Sequence, residues 1–152
     1  MKFAWLKSGI LDIKMSIINM QTMRYINLLD RTSNVKTRKC FIYNNTIIFA
    51  VPKKLVSKAI GPDALNVKRI QQNLGKRIRI IEEAESLGDA KRFVEDIVSP
   101  IRFKSLEQRG GLFILTAGGT QNKAALIGRD KKRLEELKQI LQDCFTINLK
   151  IV

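Results

Sequence analysis

The chain has 152 residues, of which 45% are hydrophobic, and 28 Lys and Arg side chains against 14 Asp and Glu give a formal net charge of +14. A chain of this length buries one ordinary core or two small ones, and its composition shows no bias towards disorder or a collagen-like structure. The excess of positive charge predicts a polyanionic partner, chiefly nucleic acid and secondarily an anionic membrane surface.

The residue inventory excludes several kinds of catalytic site. The chain has no histidine, which removes the usual serine or cysteine triad, the HExxH zinc motif and histidine proton transfer. Its only cysteines, Cys40 and Cys144, are far apart in sequence and form no CxxC pair or zinc-ligand cluster. We expect two buried, reduced thiols in a cytoplasmic protein, with a disulfide between them as the alternative. We therefore predict no enzyme activity, metal, cofactor or small-molecule substrate.

The N-terminal stretch MKFAWLKSGILDIKMSIINM allows two interpretations. No apolar run approaches the roughly 20 residues of a membrane span, and the stretch has no signal-peptide cleavage site. Its apolar residues alternate at spacings of three and four, which would place them on one helical face that docks on a partner or a membrane surface: Phe3, Leu6, Ile10, Ile13 and Ile17. We favour an extension over residues 1–18 that packs weakly or not at all, with Met15 as an alternative start, and we predict no membrane partner.

The first half of the chain predicts a helix, a hairpin, two helices and a strand. The first helix spans residues 22–30, and strands span residues 38–43 and 46–51 around Asn44-Asn45, a pair that tolerates the positive φ of a tight turn. A short helix over residues 55–60 is interrupted by Gly61. Pro62 suits the first position of the next helix, which ends at Gly75, and a strand over residues 77–82 follows.

The second half predicts the same order of elements. The acidic stretch 82–89 is the predicted connector. A helix spans residues 89–98, and strands span residues 101–107 and 112–117 around a glycine-containing turn. Helices over residues 122–127 and 129–143 meet at Gly128, and a strand spans residues 146–152.

The two halves also match in sequence at an offset of 67 residues. Aligned in this way are Ile47 with Ile114, Ala50 with Ala117, Ile60-Gly61 with Ile127-Gly128, Val67 with Leu134, Ile70 with Leu137, and Leu74 with Leu141. Two copies are too few for a solenoid, so the repeat predicts two similar small domains in tandem, residues 19–84 and 85–152.

Two helices joined by a glycine-led loop with basic flanks, after a hairpin and before a third strand, resemble a type II KH domain. The clearest stretches are MRYINLLDRT, AIGPDALNVKRIQQNLGKRIRIIE and AALIGRDKKRLEEL, and the chain is similar to the archaeal NusA-like transcription factors over residues 20–152. The resemblance implies an α+β fold of two tandem type II KH domains, each a three-stranded sheet packed by helices on one face. It further implies single-stranded RNA binding in transcription elongation or termination, with RNA polymerase as a further candidate partner.

A KH loop holds the sugar-phosphate backbone of about four nucleotides against main-chain N–H groups at a helix N-terminus. Glycine lets the RNA backbone approach closely, and nearby lysines favour phosphate. The residues that we expect to contact RNA in the first loop are Gly61, Pro62, Asp63, Ala64 and Lys68, with Lys53, Lys54 and Lys58 as supporting charge. Their equivalents in the second loop are Gly128, Arg129, Asp130, Lys131 and Lys132.

Both loops depart from the family's GxxG pattern, because Ala64 and Lys131 stand where the second glycine is expected and Pro62 lacks an N–H donor. We expect helical φ and ψ at Ala64 and Lys131. Asp63 and Asp130 would repel phosphate if they point towards it, or, as early helix residues, interact favourably with the helix dipole. Each domain should bind RNA weakly, with useful affinity only when both engage one strand. The alternatives are a ribosome-assembly or other KH-type RNA-binding protein, and an adaptor whose basic face binds an acidic protein.

Overall fold

The computed structural model describes residues 9–152, with side chains from residue 20 onward. The first helix, α1 (Gly9–Ser33), is longer than the helix predicted over residues 22–30. It ends where the Ser33 hydroxyl donates to the Leu29 carbonyl at 2.7 Å and Asn34 takes a φ of 58°. The side chains of the apolar face predicted over residues 3–17 lie outside the described residues. Within the described part, no helix is long and apolar enough to cross a membrane.

The first unit, which is the part of the chain predicted as the first domain, follows the predicted order of helices and strands closely. Its elements are β1 (Lys39–Tyr43), β2 (Thr46–Val51), α2 (Val56–Ile60), α3 (Leu65–Leu74) and β3 (Arg77–Glu82). Asn44 and Asn45 take φ values of 51° and 58°, which confirms the tight turn between antiparallel β1 and β2. Gly75 takes a φ of 66°, and its N–H bonds the Gln71 carbonyl at 2.8 Å, so α3 ends where predicted. Strand β3 pairs with β2 in parallel.

The second unit repeats this topology with shifted boundaries. Its elements are α4 (Ala90–Val98), β4 (Ser105–Arg109), β5 (Leu112–Thr116), α5 (Thr120–Ile127), α6 (Lys132–Phe145) and β6 (Asn148–Ile151). The strand predicted from residue 101 begins only at Ser105, and the helix predicted from residue 129 begins at Lys132. The sheet orders are β1-β2-β3 and β4-β5-β6. This α+β arrangement of two tandem three-stranded sheets confirms the predicted fold class.

The two faces of β2 enter different cores, so every residue of this strand is buried. Ile47 and Phe49 pack with residues of α1, α2 and α3 in one core. Ile48 and Ala50 point to the opposite face and pack with residues of the second unit, including Phe93. Helices α1, α2 and α3 therefore cover one face of the first sheet, as predicted, and helix α4 of the second unit covers the other face.

The core between the units contains a line of aromatic rings. Phe41 and Phe93 meet edge to face with centroids 6.1 Å apart, and Phe93 meets Phe145 in the same way at 6.0 Å. Phe145 in turn contacts Phe113 at 5.6 Å. The rings link β1 to α4, α6 and β5, so the units share a continuous apolar interface. The boundary predicted between residues 84 and 85 stays a prediction.

The repeat predicted at a single offset of 67 residues holds for the helices but is wrong for the strands. Ile70 and Leu137 are both fully buried at this offset. In the sheets, however, Ile47 corresponds to Phe113, because both face the helices of their own unit. A shift of one residue moves every side chain of a strand to the opposite face of the sheet. The second unit has one residue more than the first between this aligned strand residue and the buried helix residue that follows it.

Candidate nucleic-acid interface

The two glycine-led loops have nearly the same backbone. Gly61 and Gly128 take φ and ψ of 80° and 166°, and of 76° and 175°. Asp63 and Asp130 follow at 54° and 31°, and at 55° and 29°. Two loops that share Gly and Asp and differ at their other two positions therefore have one shape. One lies between α2 and α3 in the first unit and the other between α5 and α6 in the second.

The expectation of helical geometry at the second-glycine positions is wrong. Ala64 and Lys131 take φ values of 58° and 60°, in the left-handed region. This conformation costs a residue with a Cβ atom about 1 kcal/mol relative to glycine. Both loops thus have the backbone conformation that glycine favours, although neither has a glycine at that position.

Asp63 and Asp130 each lie in the short 3-10 turn that leads into α3 or α6, a place where the helix dipole favours negative charge, and their dipole role stays a prediction. Both precede the first residue of their helix and lie in the left-handed region. Aspartate is enriched in this conformation among residues other than glycine, so local backbone preference explains its presence in each loop.

The leading glycines are required by space as well as by φ. A Cβ atom at Gly61 would lie 2.8 Å from Nδ2 of Asn66, and one at Gly128 would lie 2.8 Å from Cγ of Arg133. These neighbours hold equivalent positions, five residues after each glycine. Asn66 Nδ2 donates to the Lys58 carbonyl at 3.1 Å, and Arg133 Nη1 donates to the Ala125 carbonyl at 3.0 Å.

Asn66 and Arg133 are not among the residues predicted from the sequence to form or support the loops. A signal was available, since their equal spacing from the two glycines is visible at the 67-residue offset. Their different chemistry concealed it. Each side chain fastens the start of one helix to the end of the preceding helix, and so holds the loop between them.

The backbone leaves different numbers of N–H donors free in the two loops. Ala64 and Lys131 donate to the carbonyls of their leading glycines at 3.1 and 3.3 Å. Among the described residues, the Asp63, Arg129 and Asp130 N–H groups donate no backbone hydrogen bond that joins the loop to another part of the chain. Pro62 has no N–H, so the second loop offers one more donor to an anion than the first.

The predicted basic side chains of both loops face solvent. Exposed are Lys53, Lys54, Lys58, Lys68, Arg129, Lys131 and Lys132. Between residues 20 and 152, none of these makes an ion pair with a carboxylate. Asp63 and Asp130 are exposed as well and reduce the positive charge of each loop.

The predicted residues of the first loop do not form one compact group along the chain. Lys68 lies on α3, one turn beyond the loop, and Lys58 lies on α2 close to Gly61. Lys53 and Lys54 belong to the 3-10 turn before α2 and are separated from the loop by the length of that helix. They extend the basic surface away from Gly61.

The two cysteines are free, half-buried, and line one small cavity of about 250 Å³ between β1 and the end of α6. Burial raises the pKa of Cys40 to about 12 and that of Cys144 to about 11. Both are therefore neutral thiols near neutral pH. In the described part of the chain, no group of three His, Cys, Asp or Glu side chains is placed to hold a metal.

Three archaeal proteins are similar to this chain in sequence. A protein of Halococcus morrhuae is 23% identical over 128 residues, which cover 83% of this chain and 90% of the relative. The chain is similar to archaeal NusA proteins. The Halococcus protein and two further relatives each carry the name probable transcription termination protein NusA.

The further relatives show the same likeness. The Methanocaldococcus jannaschii protein is 28% identical over 120 residues, or 77% of this chain and 64% of its own length. The Methanococcus vannielii protein is 26% identical over 142 residues, or 91% of this chain and 75% of its own length.

The fold itself has a solved counterpart. The crystal structure of APE1850 superposes with a TM-score of 0.61 at 24% identity, covering 86% of this chain and 96% of the other. No protein-family model matches the chain.

Proposed function

We propose that this chain binds single-stranded RNA through its two glycine-led loops and acts in transcription elongation or termination, as the name of its archaeal relatives suggests. The observation that carries the proposal is the shared loop backbone, which persists at Ala64 and Lys131 although glycine is absent there. An unfavourable conformation kept in both copies fits a loop whose shape serves a ligand.

The charge around the loops favours an RNA backbone as that ligand. The exposed lysines and arginines lack carboxylate partners among the described residues, so they are free to meet phosphates. Residues 61–64 and 128–131 would receive the phosphates, with Lys58, Lys68 and Lys132 as the nearest supporting charges. The fixed packing between the units would set the spacing between two bound segments of one strand.

Direct contact with RNA polymerase is a finer part of the proposal and has its own test. The exposed basic surface would attract RNA and an acidic protein surface alike. Retention of purified polymerase by the intact chain after nuclease treatment would support a direct contact. Retention that disappears with the nuclease would mean that RNA bridges the two proteins.

The loop proposal is tested by RNA binding with substitutions that preserve the glycines. Substitution of Gly61 or Gly128 would distort the loop itself, because a Cβ there would lie 2.8 Å from a neighbouring side chain. Pro62→Asp and Arg129→Asp avoid this problem, because both side chains are exposed. We expect the double variant to lose at least tenfold in affinity for a short unstructured RNA, measured by fluorescence anisotropy.

The matched control is Gln142→Glu with Lys150→Asp, which changes net charge by the same amount at exposed positions far from the loops along α6 and on β6. Equal losses in the two double variants would show that overall charge attracts RNA and would refute the loop site. Each single loop change in the intact chain then measures the contribution of one unit. Intact chains are needed because separating the units would expose Phe41 and Phe93.

A further inference from the structure

A cleft of about 590 Å³ lies where the two units meet. Its wall includes Tyr43 from the β1-β2 hairpin, Gln71 from α3 and Arg77 from the start of β3. The second unit contributes Pro100, from the segment after α4, and Arg133 from the start of α6. A volume of this size is within the range of small-molecule sites.

The charged groups on the cleft wall are all positive. Arg77, Arg79 and Arg133 line it, and no carboxylate does. Arg79 is engaged, because its guanidinium donates to the carbonyls of Asp96, Ile97 and Ser99 at the end of α4. Arg77 is exposed, and within residues 20–152 its guanidinium has no hydrogen-bond or ion-pair partner. The cleft therefore presents a free guanidinium to an anion.

A buried hydroxyl on the same wall also lacks a partner. Tyr43 is 4% exposed, and its hydroxyl is buried without a hydrogen bond in the described part of the chain. A buried polar group without a hydrogen bond is unfavourable, because it has lost its contact with water without gaining a partner. Burial raises the pKa of Tyr43 to about 12, Arg133 acts to lower it and Glu136 acts to raise it, so the hydroxyl stays protonated near neutral pH and can donate.

The rest of the wall is largely apolar or neutral. Pro100 is exposed and Ile101 is half-buried, and these two supply the accessible apolar surface, whereas Ile78 and Ile97 lie buried behind it. Gln71 accepts the Ile78 N–H at 3.2 Å, which fixes its position on the wall. One carboxylate contacts a residue of this wall: Glu136 accepts the Asn44 N–H at 3.0 Å and also lies near enough to Tyr43 to affect its hydroxyl. Free positive charge, a buried donor and an apolar surface together suit a ligand with a phosphate and a flat ring.

We propose that this cleft binds one nucleotide unit, with its phosphate at Arg77 and Arg133 and its base against the apolar wall beside Tyr43. Arg133 also fastens the second loop through its bond to Ala125, so the cleft adjoins that loop. The unit has two possible sources, a nucleotide of an RNA strand that passes between the loops or a free mononucleotide. The first source rests on the proposed function, and the second does not.

The test compares Arg77→Gln with Lys76→Gln, an adjacent exposed residue outside the cleft wall with the same charge. Tyr43→Phe removes only the hydroxyl. Each intact protein is titrated with a ten-nucleotide unstructured RNA by anisotropy and with AMP by calorimetry. For a strand nucleotide, Arg77→Gln should weaken RNA binding about tenfold, Tyr43→Phe several-fold, and Lys76→Gln about twofold or less. For a free nucleotide, the same two cleft variants should weaken AMP binding while RNA affinity stays unchanged.

The outcomes separate this inference from the proposed function. Wild-type affinity for both ligands in Arg77→Gln and Tyr43→Phe would overturn the cleft site, even if the Pro62→Asp, Arg129→Asp variant loses RNA. Loss of AMP binding alone would support the cleft and leave the RNA proposal to its own test. Absence of binding of either ligand to the unaltered chain would overturn both.

Discussion

Asn66 and Arg133 make the same cross-loop hydrogen bond with different chemistry. Asn66 donates to the Lys58 carbonyl at 3.1 Å and Arg133 to the Ala125 carbonyl at 3.0 Å, each five residues after the leading glycine of its loop. In both units the bond joins the helix after the loop to the helix before it. The shorter amide serves only the first loop, whereas the guanidinium also reaches the cleft between the units.

Removal of the Asn66 amide should loosen the first loop. We expect Asn66→Ala to lower the free energy of unfolding by about 1 kcal/mol, because it removes one hydrogen bond. We also expect it to weaken RNA binding under conditions in which the variant is fully folded, because the loop has lost its cross-loop bond. Denaturant unfolding and RNA anisotropy measure the two effects. Asn73→Ala, at an exposed position of the same helix, controls for the higher helix propensity of alanine. Equal effects of the two substitutions would contradict a role for the cross-loop bond.

Glycine at the second-glycine position should relieve an unfavourable backbone. Ala64 has a φ of 58°, so Ala64→Gly should raise the free energy of unfolding by up to about 1 kcal/mol. The same change at Ala124, an exposed residue within α5, should lower it by about 0.5–1 kcal/mol. Thermal and denaturant unfolding of both variants test the difference in sign. Destabilisation of equal size at both positions would show that Ala64 is not strained.

The sequence predicted local structure better than it predicted faces and interfaces. The Asn44-Asn45 turn and the end of α3 at Gly75 follow from backbone preferences that reside in those residues. The left-handed geometry at Ala64 and Lys131 could not be predicted in this way, because both residues favour helical backbone when considered alone. Only the shape of the whole loop imposes it.

The strand repeat shows a second reason for the difference. Ile47 aligns with Ile114 at the helix offset, and both are apolar, so the alignment alone does not reveal that Ile47 faces the helices of its own unit and Ile114 does not. The candidate cleft could not be predicted either. Its residues come from separate elements of both units and meet only when the units pack.

Arg79 should be a main polar link between the two units. Its guanidinium donates to the Ile97 carbonyl at 3.2 Å and to the carbonyls of Asp96 and Ser99, where α4 ends. We expect Arg79→Met to lower the free energy of unfolding by about 2 kcal/mol, since hydrogen bonds from a charged donor are the stronger kind. Arg77→Met, two residues earlier on the same strand and exposed, should change it little. Equal stability of the two variants would contradict the link.

The two half-buried thiols predict a loss of stability at high pH. Burial raises the pKa of Cys40 from 9.0 to about 12 and that of Cys144 from 9.0 to about 11. Above pH 9 the unfolded chain loses these protons while the folded chain keeps them, so deprotonation favours unfolding. The contribution of the protonated thiols to the free energy of unfolding is complete below pH 9 and declines as the pH rises towards 11 and 12. Denaturant unfolding from roughly pH 8.5 to about 11 should show a shallower decline of the free energy of unfolding in the Cys40→Ala, Cys144→Ala variant. Parallel curves for the variant and the unaltered chain would mean that the thiols titrate alike in the folded and unfolded states.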